Sequence, residues 1–210
     1  MWAYIESLIC WLSKSIRRLT LPQIIANEKI SKLPLIWYSG PIVLVDNVKD
    51  AETCVAELMS EKVIGFDTES KPSFRKGEFH APSLVQLAGE SKVYLFQVEK
   101  IGGLRPLIPL FSNPDILKVG VGVDRDISSL NKIENFTASG FYDLGLLSHN
   151  LGVINTGLRN LSGIFLKKRI SKNAQLTDWS REVLTDKQKI YAATDAWISR
   201  LLYFRMKKFE

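Results

Sequence analysis

Val63-Ile64-Gly65-Phe66-Asp67-Thr68-Glu69 runs from a short apolar segment into two carboxylates without a break. The apolar half reads as a buried strand, too short for a helix and without a polar face. Strand side chains alternate, so Asp67 and Glu69 point to the same side at its end. Two adjacent carboxylates repel each other unless a cation lies between them. The pair therefore reads as divalent-metal ligands, and an all-oxygen ligand set favours Mg²⁺ or Mn²⁺. Two solvated acids at a strand end is the other reading, and this segment alone does not decide.

Outward from that strand, the pattern is mixed. Ile42-Val43-Leu44-Val45 reads as a strand, and Asp46 or Asn47 can cap a following helix with Ala51, Val55, Leu58 and Met59 on one face. Residues 71–82 form a polar loop with two prolines. Ser83–Leu87 and Val93–Phe96 read as two strands joined by a Gly-Glu-Ser-Lys turn, hence an antiparallel hairpin. Leu104–Phe111 looks helical, Leu117–Val121 reads as a strand, and a helix starts near Asp124. Gly140–Asp143 reads as a short strand end, and the rest is helical. Strands early and helices late, with βα units between, predict a mixed sheet covered by helices. Internal repeats and low-complexity segments are absent.

Two further segments carry acids. Gly120-Val121-Gly122-Val123-Asp124-Arg125-Asp126 passes from strand to helix. Glycines there permit a tight turn or the close approach of a ligand. Asp124 can cap the helix, and Asp126 in the first turn suits the helix dipole, so capping competes with metal binding here. Tyr191-Ala192-Ala193-Thr194-Asp195 lies on a helix that opens with Thr185 and Gln188, spaced as a capping box. Ile190, Thr194, Trp197, Ile198 and Leu201 make a largely apolar stripe on it. Tyr191 and Asp195, four residues apart, share a face, so the carboxylate can bind a metal while the phenol bonds that metal's water.

Taken together, Val-Ile-Gly-Phe-Asp67-Thr-Glu69, Lys118-Val-Gly-Val-Gly-Val-Asp-Arg-Asp126 with Leu130, and Tyr191-Ala-Ala-Thr-Asp195-Ala resemble the DEDDy branch of the DnaQ-like 3′→5′ exonucleases, and within it the Werner-type and ribonuclease D-type members. Thr177-Asp178-Trp179 and Leu184-Thr185 are similar to the same family. The likeness covers roughly residues 40 to 208. It implies a ribonuclease H-like fold, α/β, with a mixed five-stranded sheet flanked by helices. It also implies a two-metal hydrolysis that releases nucleoside 5′-monophosphates from nucleic-acid 3′ ends. On that pattern Asp67 bridges both ions, Glu69 and Asp195 complete the first site, Asp126 holds the second, and Tyr191 orients the attacking water. Asp126 is preferred to Asp124 because the family's acid falls at that point of the motif. The resemblance divides the chain into an N-terminal amphipathic helix and connector, residues 1–39, and an exonuclease domain, residues 40–210.

Charge fits a polyanionic partner. The 210 residues carry a formal net charge of +6. Single-stranded or 3′-recessed DNA, RNA, or both, is the expected substrate. Lys71, Arg75 and Lys76 follow the first motif, with Phe74 among them; Lys167, Lys168, Arg169 and Lys172 precede the third. Phe74 can stack on a base and the cations can meet phosphates, although a solvated charged loop accounts for any one of them. Two alternatives share the fold: a catalytically weak nucleic-acid-binding module, and an enzyme restricted to very short oligonucleotides. Trp179 reads as a packing anchor.

Two cysteines and two histidines are too few and too scattered for a disulfide framework or a zinc site. The cysteine count fits a reducing intracellular compartment, cytoplasmic in the simplest case. No stretch is long and apolar enough to span a membrane. Trp2, Ile5, Leu8, Ile9, Leu12, Ile16 and Leu19 recur at helical spacing. That helix can pack on its own domain, join a second copy or a protein partner, lie on a membrane surface, or act in organelle targeting, which Glu6 argues against.

Overall fold

The computed structural model describes residues 21–75 and 77–210, so the amphipathic pattern of residues 2–19 lies outside the described residues. The Val63 segment is β2 (Val63–Ser70), near the middle of a mixed sheet. The other strands are β1 (Ile42–Val45), β3 (Pro82–Ala88), β4 (Val93–Gln97), β5 (Leu117–Gly120) and β6 (Phe141–Asp143). Their order across the sheet is β1-β4-β3-β2-β5-β6. β3 is antiparallel to both β2 and β4, whereas β1 with β4, β2 with β5 and β5 with β6 are parallel. The sheet thus has six strands rather than the five expected. The extra one is the Phe141 segment, which pairs Lys118 with Phe141 and Gly120 with Asp143.

The helices are α1 (Asn27–Ser31), α2 (Val48–Leu58), α3 (Ile108–Phe111, preceded by a 3₁₀ turn, Arg105–Leu107), α4 (Val123–Leu130), α5 (Leu144–Asn150), α6 (Leu158–Leu161) and α7 (Asp186–Met206). Asn47 caps α2, its side chain accepting from the Asp50 N–H at 2.9 Å. Alternation along β2 divides the core. Ile64 and Phe66 face one layer with Ala51, Val55 and Leu58 of α2. Val63 packs on the opposite side with Ile198, Leu202 and Met206 of α7.

α7 starts with the expected capping box: the Thr185 side chain accepts from the Gln188 N–H, and the Gln188 side chain accepts from the Thr185 N–H. Its apolar contact differs from the predicted stripe. Thr194 and Ile198 are buried, but Ile190 is 40% exposed. The sheet is met instead by Ala192, Ala193 and Ala196, all fully buried. Small residues are needed because the helix lies so close that a Cβ added at Gly65 would strike the Ala196 carbonyl. The Arg200 Nε donates to the Val63 carbonyl at 3.0 Å and pins the same helix to the start of β2.

The stretch ahead of β1, expected as a connector, packs on the domain. Ile30 is fully buried. The Ile36 N–H donates to the Arg169 carbonyl at 2.9 Å, and the Arg169 N–H donates to Pro34 at 3.0 Å. The Tyr38 N–H donates to Thr194 Oγ1 on α7 at 2.9 Å. Residues 34–38 are thereby fixed against one flank of α7. No helix among the described residues is long and apolar enough to cross a membrane.

Candidate active site

β2 carries Asp67 and Glu69 on its α7-facing side, and the close seating of α7 over Gly65 brings Asp195 to them. One carboxylate oxygen from each of Asp67, Glu69 and Asp195 lies within 4.8 Å of the others. Asp195 is buried, while Asp67 and Glu69 are half-buried. Such crowding pushes the group toward protonation. Burial, followed by the Asp195, Glu69 and Asp126 carboxylates, holds Asp67 well above the usual carboxylate range. Burial and then Asp195 and Asp126 push Glu69 up to about 9. Burial pushes Asp195 up to about 7, against the opposing effect of the Tyr191 hydroxyl.

The donor set fits divalent cations. Asp195 Oδ1 is buried without a hydrogen-bond partner, which is costly for a carboxylate oxygen unless a cation or its water meets it. The ligands are all oxygens and all acidic, the chemistry of Mg²⁺ or Mn²⁺ rather than of zinc. A second orphan lies alongside. Gln86 is directly opposite Asp67 in the antiparallel pair, fully buried, and neither its Oε1 nor its Nε2 has a partner.

Asp126 stands next to this trio rather than in it. It is half-buried on the first turn of α4, where the Thr68 hydroxyl donates to its Oδ1. Burial pushes it up to about 6, with the Thr68 bond opposing. Thr68 points to the other side of β2 from Asp67 and Glu69, so one strand end places two carboxylates and orients a third. Asp124 is exposed. It makes no cap: α4 is entered through Gly122 in the left-handed region at φ 73°, without a side-chain cap bond. That glycine turns the chain so that Asp126, and not Asp124, faces β2.

Tyr191 is half-buried one turn before Asp195, its ring 5.9 Å from that of fully buried Trp179. Burial and then the Asp195 and Glu69 carboxylates raise its phenol above the ordinary value, so it stays a hydroxyl. Trp179 is the packing anchor expected. Gln188 Nε2 donates to Thr177 Oγ1 at 3.1 Å and to the Asp178 carbonyl at 3.0 Å, which fixes the Trp179 segment behind Tyr191.

Asp67, Glu69, Asp195 and Tyr191 line a cleft of about 600 Å³ whose wall includes Arg125, Arg159 and Lys172. Arg159 Nη1 donates to Asn27 Oδ1 at 3.3 Å, and its buried Nε has no partner. Of the cations expected to meet nucleic acid, Lys71, Arg75 and Lys167 are exposed, Lys168 is half-buried, and Lys76 lies outside the described residues. Phe74 is 80% exposed on the loop after β2. Arg169 is engaged elsewhere, its Nε donating to the Leu33 carbonyl at 3.0 Å. Arg159, Arg125, Thr68 and Gln86 were not singled out from the sequence. Thr68, inside the first motif, and Arg125, inside the second, carry a local signal; Arg159 and Gln86 carry none.

A ribonuclease H-like sheet with an acidic cleft at the end of its central strand defines a nuclease class. The chain belongs to the 3′-5′ exonuclease family, whose model matches residues 42–209. It is 28% identical over 212 residues to the bifunctional 3′-5′ exonuclease/ATP-dependent helicase WRN of Mus musculus, covering 93% of this chain and 15% of that protein. It is 28% identical over 170 residues to ribonuclease D of Haemophilus influenzae, covering 79% of this chain and 41% of that protein. It therefore spans less than half the length of either. Among solved structures, the EXO domain of Aedes aegypti Nibbler superposes with a TM-score of 0.74 at 26% identity, covering 84% of this chain and 91% of that one.

Proposed function

We propose that the chain removes nucleoside 5′-monophosphates one at a time from the 3′ end of DNA or RNA by metal-assisted hydrolysis. The observation that carries this is the convergence of Asp67, Glu69 and Asp195 within 4.8 Å in a cleft that also holds three basic side chains. Asp67, Glu69 and Asp195 would hold one Mg²⁺ or Mn²⁺, and Asp67 with Asp126 a second. Such ions acidify a bound water and neutralise charge on the leaving 3′ oxygen. The remaining work belongs to the chain. Tyr191, kept as a hydroxyl, donates or accepts one hydrogen bond that fixes the attacking water in line with the scissile phosphodiester. Thr68 holds Asp126 in the ligating orientation. Arg125, Arg159 and Lys172 attract and position the anionic strand, whose like charge would otherwise be repelled by four acids. The likeness to ribonuclease D supports a nucleic-acid strand as the substrate.

The test offers end-labelled single-stranded DNA, a recessed duplex, single-stranded RNA and a dinucleotide with Mg²⁺ or Mn²⁺. Stepwise shortening from the 3′ end, lost in Asp67→Ala, is expected. Equal activity in Asp67→Ala, or cleavage away from the ends, sinks the reading. Turnover of the dinucleotide alone points to the short-oligonucleotide enzyme instead.

A further inference from the structure

The row of the sheet that carries Glu69 continues through Leu84 on β3 to Gln97 on β4. Two strand spacings put Gln97 roughly 10 Å from Glu69 across the sheet. There the end of β4 and the Trp179 segment line a separate hollow of about 680 Å³. It shares no residue with the acidic cleft. Trp179 stands between the two, lining the hollow while its ring lies 5.9 Å from that of Tyr191. Two polar atoms of this lining are unsatisfied. Gln97 is 6% exposed and Trp179 1%. The Gln97 Nε2 donates to the Glu182 carbonyl at 3.3 Å, but its Oε1 accepts nothing, and the Trp179 Nε1 donates to nothing. Buried polar groups are nearly always paired, so an open acceptor and an open donor in one pocket wall mark a place for a ligand. Charge stands at the open side. Lys100 Nζ gives one hydrogen to the Glu182 carbonyl at 2.8 Å and keeps two for another acceptor. Arg181 is exposed, as are Glu99 and Glu182.

We propose that this hollow is a second site, apart from the acids, and that it takes a free nucleoside 5′-monophosphate. The inference goes beyond the exonuclease reading and does not depend on it. The two open atoms ask for a ligand that carries a donor and an acceptor together. A simple anion would leave Gln97 Oε1 unpaired, and an apolar molecule would leave both atoms unpaired. The pairing edge of a nucleobase carries a donor next to an acceptor in all four bases, so the site binds a base without choosing which. Pro82 and Ile133 in the lining offer apolar surface to its faces. The other parts of a nucleotide also find partners. Lys100 and Arg181 suit its phosphate, and the Glu99 or Glu182 carboxylate can accept from ribose hydroxyls. A volume of this size lies within the range of small-molecule sites, about 300–1,000 Å³. None of these groups needs a divalent cation to hold a phosphate, in contrast to the acidic cleft.

The experiment is calorimetry on the full chain in EDTA, with adenosine 5′-monophosphate, adenosine and ribose 5-phosphate as probes. The monophosphate is expected to bind at one site. Adenosine and ribose 5-phosphate should each bind about tenfold more weakly or worse, having lost the phosphate or the base contacts. Lys100→Ala and Arg181→Ala, both changes near the surface, should weaken the monophosphate by about tenfold and leave adenosine unchanged. Gln97→Met keeps the side-chain volume and removes the open acceptor, so it should weaken the monophosphate and adenosine alike. Asp67→Ala should bind the monophosphate as the wild type does. A nucleotide seated in the acidic cleft would instead bind Asp67→Ala more tightly, because one repelling charge is gone. The proposal is overturned by any of three results: no binding of the monophosphate without metal, equal binding of ribose 5-phosphate, or tighter binding in Asp67→Ala. It is overturned as well if folded Lys100→Ala and Arg181→Ala both bind the monophosphate like the wild type, which decides the matter even where Gln97→Met does not fold. Strand hydrolysis enters none of these readouts, so a failure of the exonuclease reading leaves them intact.

Discussion

Gly65 lies directly beneath the Ala196 carbonyl of α7, with no room between them for a Cβ atom. This contact sets the distance of the helix from the sheet, and hence the reach of Asp195 to Asp67 and Glu69. Gly65→Ala has two ways to relieve the clash, overpacking in place or lifting α7. Overpacking of this kind costs about 1–3 kcal/mol. Lifting the helix separates the carboxylates. The expected outcome is a lower melting temperature together with weaker Mn²⁺ binding by calorimetry. Ala at 65 with wild-type metal affinity would show that the helix height is set elsewhere.

The bond from Thr68 to Asp126 predicts a ranking of four variants. Asp126→Asn should lower kcat by several orders of magnitude, as loss of a ligand does. Thr68→Val leaves the carboxylate in place but free to turn, which typically costs roughly 10- to 100-fold. Thr68→Ser keeps the hydroxyl and should restore most of that loss. Asp124→Asn should be nearly silent in rate and stability, since Asp124 is exposed and makes no cap bond. Measuring kcat and thermal melting for all four checks the order. An Asp124 variant slower than the Asp126 one would exchange their roles.

The sign of the pH effect follows from the raised carboxylates. Glu69 is pushed up to about 9 and Asp195 to about 7. An unfolded chain titrates both near 4, roughly. Between those values the folded, metal-free protein holds more protons than the unfolded one, so stability falls as pH rises from about 4 through 7 and on toward 9. Added Mn²⁺ displaces those protons, so its affinity and its stabilising effect grow over the same interval. Melting curves from pH 5 to 9 with and without Mn²⁺ should diverge with pH. In Asp67→Asn, which removes one charge from the cluster, the metal-free slope should flatten. A metal-free protein whose melting temperature climbs through this interval contradicts the crowding described.

Legibility in the sequence followed the range of the interactions. Asp67 and Glu69 could be read from strand parity alone, and Tyr191 with Asp195 from a helical spacing of four. The choice of Asp126 over Asp124 needed the family resemblance, because the helix phase after Gly122 depends on a left-handed turn that capping arguments did not anticipate. The α7 stripe was misread in part: apolarity picked out Ile190, while the sheet-facing side is built from alanines whose merit is size. The sixth strand reads in sequence as a short strand end, although the family resemblance implies five; three residues are too few to show a period. Arg159 and Gln86 come to the site from distant parts of the chain. Nothing next to them in sequence marks them, and Arg169 reads as one more basic residue although it fastens the segment ahead of β1 through Leu33, Pro34 and Ile36.

Tyr191 separates two kinds of loss. Its ring packs against Trp179 and its hydroxyl lies against the Asp195 carboxylate, so Tyr191→Phe removes the second relationship and keeps the first. Packing and folding should therefore survive, with a melting temperature near that of the wild type. Without the hydroxyl, the attacking water has lost one fixed hydrogen bond, a loss that typically lowers kcat by roughly 10²–10³. Mn²⁺ affinity should change little, since Asp67, Glu69 and Asp195 all remain. KM should hold too, because the cations placed to attract the strand, Arg125, Arg159 and Lys172, are untouched. Single-turnover rates on a labelled strand, beside calorimetry with Mn²⁺, distinguish the cases. A wild-type rate in Tyr191→Phe makes the tyrosine a packing residue. A loss of metal affinity instead makes it part of the ligand set, beside the three carboxylates that converge.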